Sequence, residues 1–211
     1  MTPWTEYRTW IGPLVPGVTE PMLTRAVCDA AIEFCDMTQA TIERFRFFAI
    51  PRSNQYELEV DCAKPGMVLG VTLGGRELKP VYLDALYNAH GEAWHDHKGT
   101  PEFYLGEDPD TLRVYPSPTT KESGFITVVV RPSRSSQGFS TQFFEHYGEI
   151  VSDGALARLL SQPNMPWHDP REAMNRRVLF QRGVNKVRAR VMGGHTTATF
   201  YADHKGYNYG T

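Results

Sequence analysis

Apolar positions recur with a helical period at both ends of this chain and with a period of two in between. Over 20–37, Leu23, Val27, Ala30, Phe34 and Met37 fall on one stripe, which predicts an amphipathic core helix. Thr19 stands where an N-cap is needed, with Val18 and Leu23 placed as a hydrophobic staple. From Thr41 the period shortens: Ile42, Arg44, Arg46 and Phe48 alternate with Glu43, Phe45 and Phe47. Tyr56, Leu58 and Val60 alternate with Glu57, Glu59 and Asp61, as in a half-buried strand with an acidic outer side. Lys64-Pro65-Gly66 predicts a turn, 67–73 a strand, and Gly74-Gly75 a tight hairpin turn into 76–80. A short helical turn and loop is expected over 82–94, then strands at 103–105, 112–115 and 125–131.

The helical period returns after residue 141. A helix predicted over 142–162 carries Phe143, Tyr147, Ile150, Gly154 and Ala157 on one face, and Leu156, Leu159 and Leu160 nearer the other. Such a helix is covered from two directions. After a break at 163–168, Asp169-Pro170-Arg171-Glu172 supplies an N-cap, a proline at the first helical position and a capping-box glutamate. Ala173, Phe180, Val184, Val187 and Val191 then lie within an arc of about 60°. Arg171, Arg176, Arg177, Arg182, Lys186, Arg188 and Arg190 take the rest of the circumference, and Gly193-Gly194 is expected to end the helix.

These patterns predict an α+β fold. N- and C-terminal helices (19–40 and 140–192) form a helical bundle, with an antiparallel β-sandwich or barrel-like domain (41–139) inserted between them. Extended arms lie at each end, 1–18 with Trp4, Tyr7 and Trp10, and 193–211.

Composition narrows the classes. At 211 residues with 41% hydrophobic content, the chain suits one domain with an elaborated insertion. It has no apolar run of eighteen residues, so no membrane span is expected, and the first residues lack the pattern of a signal peptide. Cys28 and Cys35 lie seven positions apart on one predicted helix, about 10 Å between Cα atoms, too far for a disulfide. With Cys62 they read as reduced thiols. The net charge of −2 is uneven: 142–211 holds nine basic and six acidic residues, the remainder thirteen and eighteen. That argues against a general nucleic-acid binder and permits one basic surface facing an acidic partner or DNA phosphates.

No catalytic signature is present: no GxSxG elbow, no P-loop, no GxGxxG. Residues 70–75 are glycine-rich in composition only, with no Lys-Ser/Thr to hold phosphate. His90, His95, Asp96 and His97 are the residues a small metal-dependent enzyme would use, set against the ordinary alternative of solvated loop histidines. No cofactor is expected. The unusual feature is the basic helix, with seven basic residues against one acidic over 171–192, where solvated helices mix Glu with Lys.

The order of elements resembles the neck adaptor, or head-to-tail connector, proteins of tailed bacteriophages. The likeness is carried by AVCDAAIEFCDMT at 26–38, by 70–80 with its Gly-Gly turn, and by Trp94 followed by GTPEFY at 99–104. It continues through LRVYPSP at 112–118, EHYGEIVSDGALA at 145–157 and Pro166-Trp167. It implies a structural virion protein made in the host cytoplasm, a homo-oligomeric and dodecameric ring beneath the portal, lining the passage of double-stranded DNA without sequence specificity. It implies portal protein and tail or nozzle proteins as partners, with the C-terminal segment (Thr199, Phe200, Tyr201, Tyr207, Tyr209) reaching the portal. Other neck proteins, a head-completion factor or a tail terminator, are the related alternatives.

Overall fold

The computed structural model describes residues 1–59, 63–106, 108 and 110–193. The fold is mixed α+β, with five α-helices and a curled seven-stranded sheet among the described residues. A short strand, β1 (Thr2–Pro3), leads through a 3₁₀ turn at Trp4–Tyr7 into α1 (Arg8–Ile11) and the long helix α2 (Glu20–Thr38). Eight strands follow: β2 (Ile42–Ala49), β3 (Gln55–Glu57), β4 (Ala63–Leu73), β5 (Arg76–Pro80), then, after α3 (Leu83–His90) and a 3₁₀ turn at Gly91–Asp96, β6 (Lys98–Gly99), β7 (Phe103–Leu105), β8 (Thr111–Tyr115) and β9 (Ser117–Pro118). β10 (Glu122–Pro132) and β11 (Gly138–Phe139) precede α4 (Thr141–Leu160) and α5 (Pro170–Met192).

The main sheet has the order β2-β10-β4-β5-β7-β8-β3. It is antiparallel except where β5 meets β7, and β6 and β9 form a separate parallel pair. Seven strands thus make one curled sheet, and β1–β11 forms a further short pair. Gly74 and Gly75 have φ of 57° and 79°, the left-handed pair that the β4–β5 hairpin requires. The turn expected at Lys64-Pro65-Gly66 is absent; those residues continue β4, with register shifts against β10 on either side of Val128-Val129. Proline is tolerated there because β4 pairs with β5 only through 71–73, so the other edge at Pro65 meets no described strand. Of the strand expected over 56–61, β3 forms the start, and 60–62 lie outside the described residues.

The N-terminal arm is not extended. Trp4, Tyr7 and Ile11 are buried, and β1 pairs with β11, so residues 1–18 dock on their own chain. The Trp4 indole N–H donates to the Ser136 carbonyl at 2.8 Å. Trp10 stacks on Phe144 and lies so close to Gly148 that a Cβ there would come within 2.5 Å of its ring. The arm is therefore the cover on the second side of α4 that its two apolar faces demanded.

α2, α4 and α5 pack on one another, and α2 also meets β10 of the sheet. One continuous buried cluster runs from Trp4 and Phe34 through Leu156 and Phe180 to Val71, Ile126 and Leu112. A smaller one, Leu86, Trp94, Leu105 and Tyr115, lies under α3. Cys28 and Cys35 are free and buried; burial pushes the Cys35 thiol up to about 12.

Candidate functional site

α5 is built as the basic pattern predicted, with one difference at its start. The Asp169 carboxylate accepts from the backbone N–H of Arg171 and of Glu172, capping the helix. Glu172 does not complete the reciprocal capping box: its carboxylate is held by Asn175 and Arg176. At the far end Gly193 has φ −78°, so it ends the helix without a left-handed turn, and Gly194 lies outside the described residues. The buried arc of Ala173, Phe180, Val184 and Val187 faces the α2–α4 groove. Close approach depends on glycine: a Cβ on Gly154 would meet the Phe180 ring at 2.7 Å, and one on Gly183 would meet Ile150 at 2.7 Å.

The seven basic residues do not form one outward surface. Arg176 and Arg177 flank the buried arc and turn toward the other helices. Arg177 grips Glu33 of α2 with two hydrogen bonds of 2.6 and 3.1 Å, and its guanidinium lies 5.5 Å over the Phe180 ring. Arg158 of α4 binds the same carboxylate and also donates to the Gly154 carbonyl at 2.9 Å. Burial alone would raise the Glu33 carboxyl, but the bonds from Arg177 and Arg158 outweigh it and hold the group below the usual carboxylate range. One carboxylate thereby ties three helices together.

Arg176 bridges Glu172 and Asp153 of α4, the latter at 2.9 Å. Arg176 is raised by Asp153, yet Asp153 is raised as well, because burial outweighs the bond it receives. With the Asp153 side chain only 16% exposed, the burial cost is the firmer of the two, and the pair stabilises less than its length suggests.

A depressed carboxyl carries a definite sign. The Glu33 contribution is fully present above the unfolded value of about 4.3 and is lost as pH falls through the lower folded value. Glu33→Gln is expected to lower stability by about 1–2 kcal/mol at neutral pH. The gap from the parent should close on acidification through that window, as read from urea midpoints at stepped pH. A gap that stays constant with pH would remove Glu33 from the account.

Arg171, Arg182, Lys186, Arg188 and Arg190 are exposed and make no ion pair with a described residue. Met174, Val178 and Leu179 are exposed beside them on the outward side. The basic count directed attention away from these three, although the same helical period places them there. The outward side of α5 is thus cationic with an apolar seam, which suits contact with a macromolecule better than plain solvation. The residues expected to contact the portal, Thr199, Phe200, Tyr201, Tyr207 and Tyr209, lie outside the described residues.

The histidine group takes a different form from a metal centre. His90 ends α3, and its ring lies 5.0 Å from that of His97 and 5.3 Å from that of Tyr115. His97 Nδ1 is 2.8 Å from the Tyr115 hydroxyl. Among the described residues no three His, Cys, Asp or Glu side chains converge as a metal-binding group. The glycine-rich run 70–75 is the end of β4 and its hairpin turn. Among the described residues no helix is long and apolar enough to cross a membrane. No protein-family model matches the chain, and no curated protein matches it.

Proposed function

We propose that this chain is a structural protein of the bacteriophage neck, an adaptor that assembles as a ring beneath the portal, joins it to the tail and lines the passage for DNA. In this reading α2, α4 and α5 are the adaptor's helical bundle, and the curled sheet is its inserted β domain. The virion is its place of action, and its partners are further copies of itself, the portal, tail or nozzle proteins and passing duplex DNA. No residue is given a catalytic role.

One arrangement carries the proposal. α5 is locked on one side by Phe180 and by the Glu33 carboxylate, while its other side presents, up to Gly193, cations that make no ion pair with a described residue. A rigid helix with an unanswered basic face suits partners rich in carboxylates or phosphates, and phosphate contacts of this kind carry no sequence preference.

Lys186→Glu tests the role of the face. Arg177 is unsuited to this, because reversing it would strand Glu33 and loosen the helices. Arg182, Lys186 and Arg190 are spaced i, i+4, so the parent helix bears two like-charge repulsions. Replacing the central lysine by glutamate turns both into attractions and is expected to stabilise the monomer by about 0.5 kcal/mol. The same change should weaken assembly on portal rings, read by electron microscopy of mixtures and by particle yield. A more stable monomer that assembles as well as the parent would overturn the assembly role of this face. Truncation after Met192 should likewise weaken portal binding without unfolding the chain.

A further inference from the structure

A second unanswered surface lies on the sheet. Ile42, Arg44, Arg46 and Phe48 are exposed on β2, while Phe45 and Phe47 between them pack toward the core. The register places Phe125 of β10 opposite Arg46 and Thr127 opposite Arg44. Phe48 is 49% exposed and Phe125 40%, with Met67 of β4 open nearby. The Arg44 guanidinium lies 4.4 Å over the Phe125 ring, Arg46 lies 5.6 Å over Phe48, and the Lys121 ammonium lies 5.4 Å over the same ring. None of these three cations makes an ion pair with a described residue. β2 is also an end strand of the sheet, and its outer edge pairs with no described strand. An open apolar patch under a layer of cations marks an interaction site.

The chemistry of the patch selects its partner. Bases of single-stranded nucleic acid bind by stacking on aromatic faces, and here those faces already carry guanidinium and ammonium groups. A base would have to displace Arg44 to reach Phe125. Carboxylates, by contrast, meet N–H donors already displayed outward. The complementary surface is present on this chain. Residues 76–108 hold seven acidic against three basic residues. Asp84, Glu92, Asp96 and Glu102, on α3 and the segments that follow it, are exposed and make no ion pair with a described residue. Tyr82, 87% exposed, supplies an apolar partner beside them. α3 follows β5, which is separated from β2 in the sheet by β10 and β4.

We infer that the β2–β10 face receives the acidic α3 end of a second copy of this chain. The contact is head-to-tail, the kind that closes into a ring when the rotation between copies permits. It rests on the neck reading for that closure, while the contact itself is testable apart from it.

The test uses the full chain and two charge-reversed variants, Arg44→Glu/Arg46→Glu and Asp84→Lys/Glu92→Lys. All the altered side chains are exposed, and circular dichroism with thermal melting checks that each variant is folded. Sedimentation velocity across a concentration series is expected to show self-association of the parent that weakens with added salt. Each variant alone should associate at least about tenfold more weakly. A mixture of the two should regain association, because each reversed surface then meets its complement. A parent that stays monomeric up to its solubility limit, association untouched by either variant, or a mixture that fails to recover would each overturn the inference. So would tight binding of an oligo-dT strand that Arg44→Glu/Arg46→Glu abolishes, which would assign the face to nucleic acid. If charge exchange succeeds but the protein is missing from virions, the contact stands and the neck reading falls.

Discussion

Phe180→Ala is expected to cost about 3–5 kcal/mol, among the largest losses available to a single side chain in this fold. Phe180 is fully buried where three helices meet. Its ring lies against the bare backbone of Gly154 on α4, and the Ala30 methyl of α2 reaches the same spot. The glycine gives the site little means of collapse, since no side chain at 154 can swing in to fill the space. Arg177 also covers the ring, so truncation would expose the apolar flank of the Glu33 pairing. Urea unfolding of the variant measures the loss directly. A loss below about 1.5 kcal/mol would mean that the three helices do not share this side chain as their common contact. The converse change is informative too. Gly154→Ala should be destabilising alone, and pairing it with Phe180→Leu should cost less than the two separate losses, because the smaller residue makes room for the new methyl.

Trp4→Ala is expected to cost a similar amount, about 3–5 kcal/mol, although it is only the fourth residue of the sequence. The side chain is 2% exposed, its indole N–H is satisfied by Ser136, and its ring lies 6.1 Å from that of Tyr7. Loss of the ring would also release the β1–β11 pair and loosen Trp10 from Gly148, uncovering one side of α4. The chemical-denaturation midpoint should fall, and amides of the first half of α4 should lose hydrogen-exchange protection. If the midpoint stays within about 0.5 kcal/mol of the parent, residues 1–18 are an appendage and not part of the core.

The arm also shows where sequence reading runs out. Trp4, Tyr7 and Trp10 at three-residue spacing are compatible with docking on their own chain or on a neighbour, since spacing reports that a face is apolar and not what covers it. The cover was legible only in reverse, from the two apolar faces of α4 and from the glycine at 148, where a Cβ would strike Trp10.

The basic helix divides in the same way. Its extent, its Asp169 cap and its buried arc follow from the residues of α5 alone, because a 3.6-residue period and a capping side chain are local properties. Which arginines stay outward is not local. Glu33 lies 144 positions from Arg177, and only the packing of α2 against α5 brings them together. A count of seven cations thus becomes two that lock the helices and five that make no ion pair with a described residue.

On the sheet, the alternation of Ile42, Arg44, Arg46 and Phe48 with Phe45 and Phe47 was enough to predict a strand. With aromatic residues on both sides of the alternation, the pattern did not say which side faces water. Pairing with β10 decided it by turning Phe45 and Phe47 toward the core and leaving the arginines stacked on exposed rings. The sequence by itself thus determined the long helices α2, α4 and α5, the Asp169 cap, the glycine hairpin and the α+β class, all set by interactions within a few residues. Tertiary structure alone decided that seven strands form one curled sheet, that the N-terminal arm is core, and which cations make no ion pair with a described residue. Those outcomes depend on contacts between residues distant in sequence, such as Ala49 with Glu122 and Glu33 with Arg177, and no local period records them.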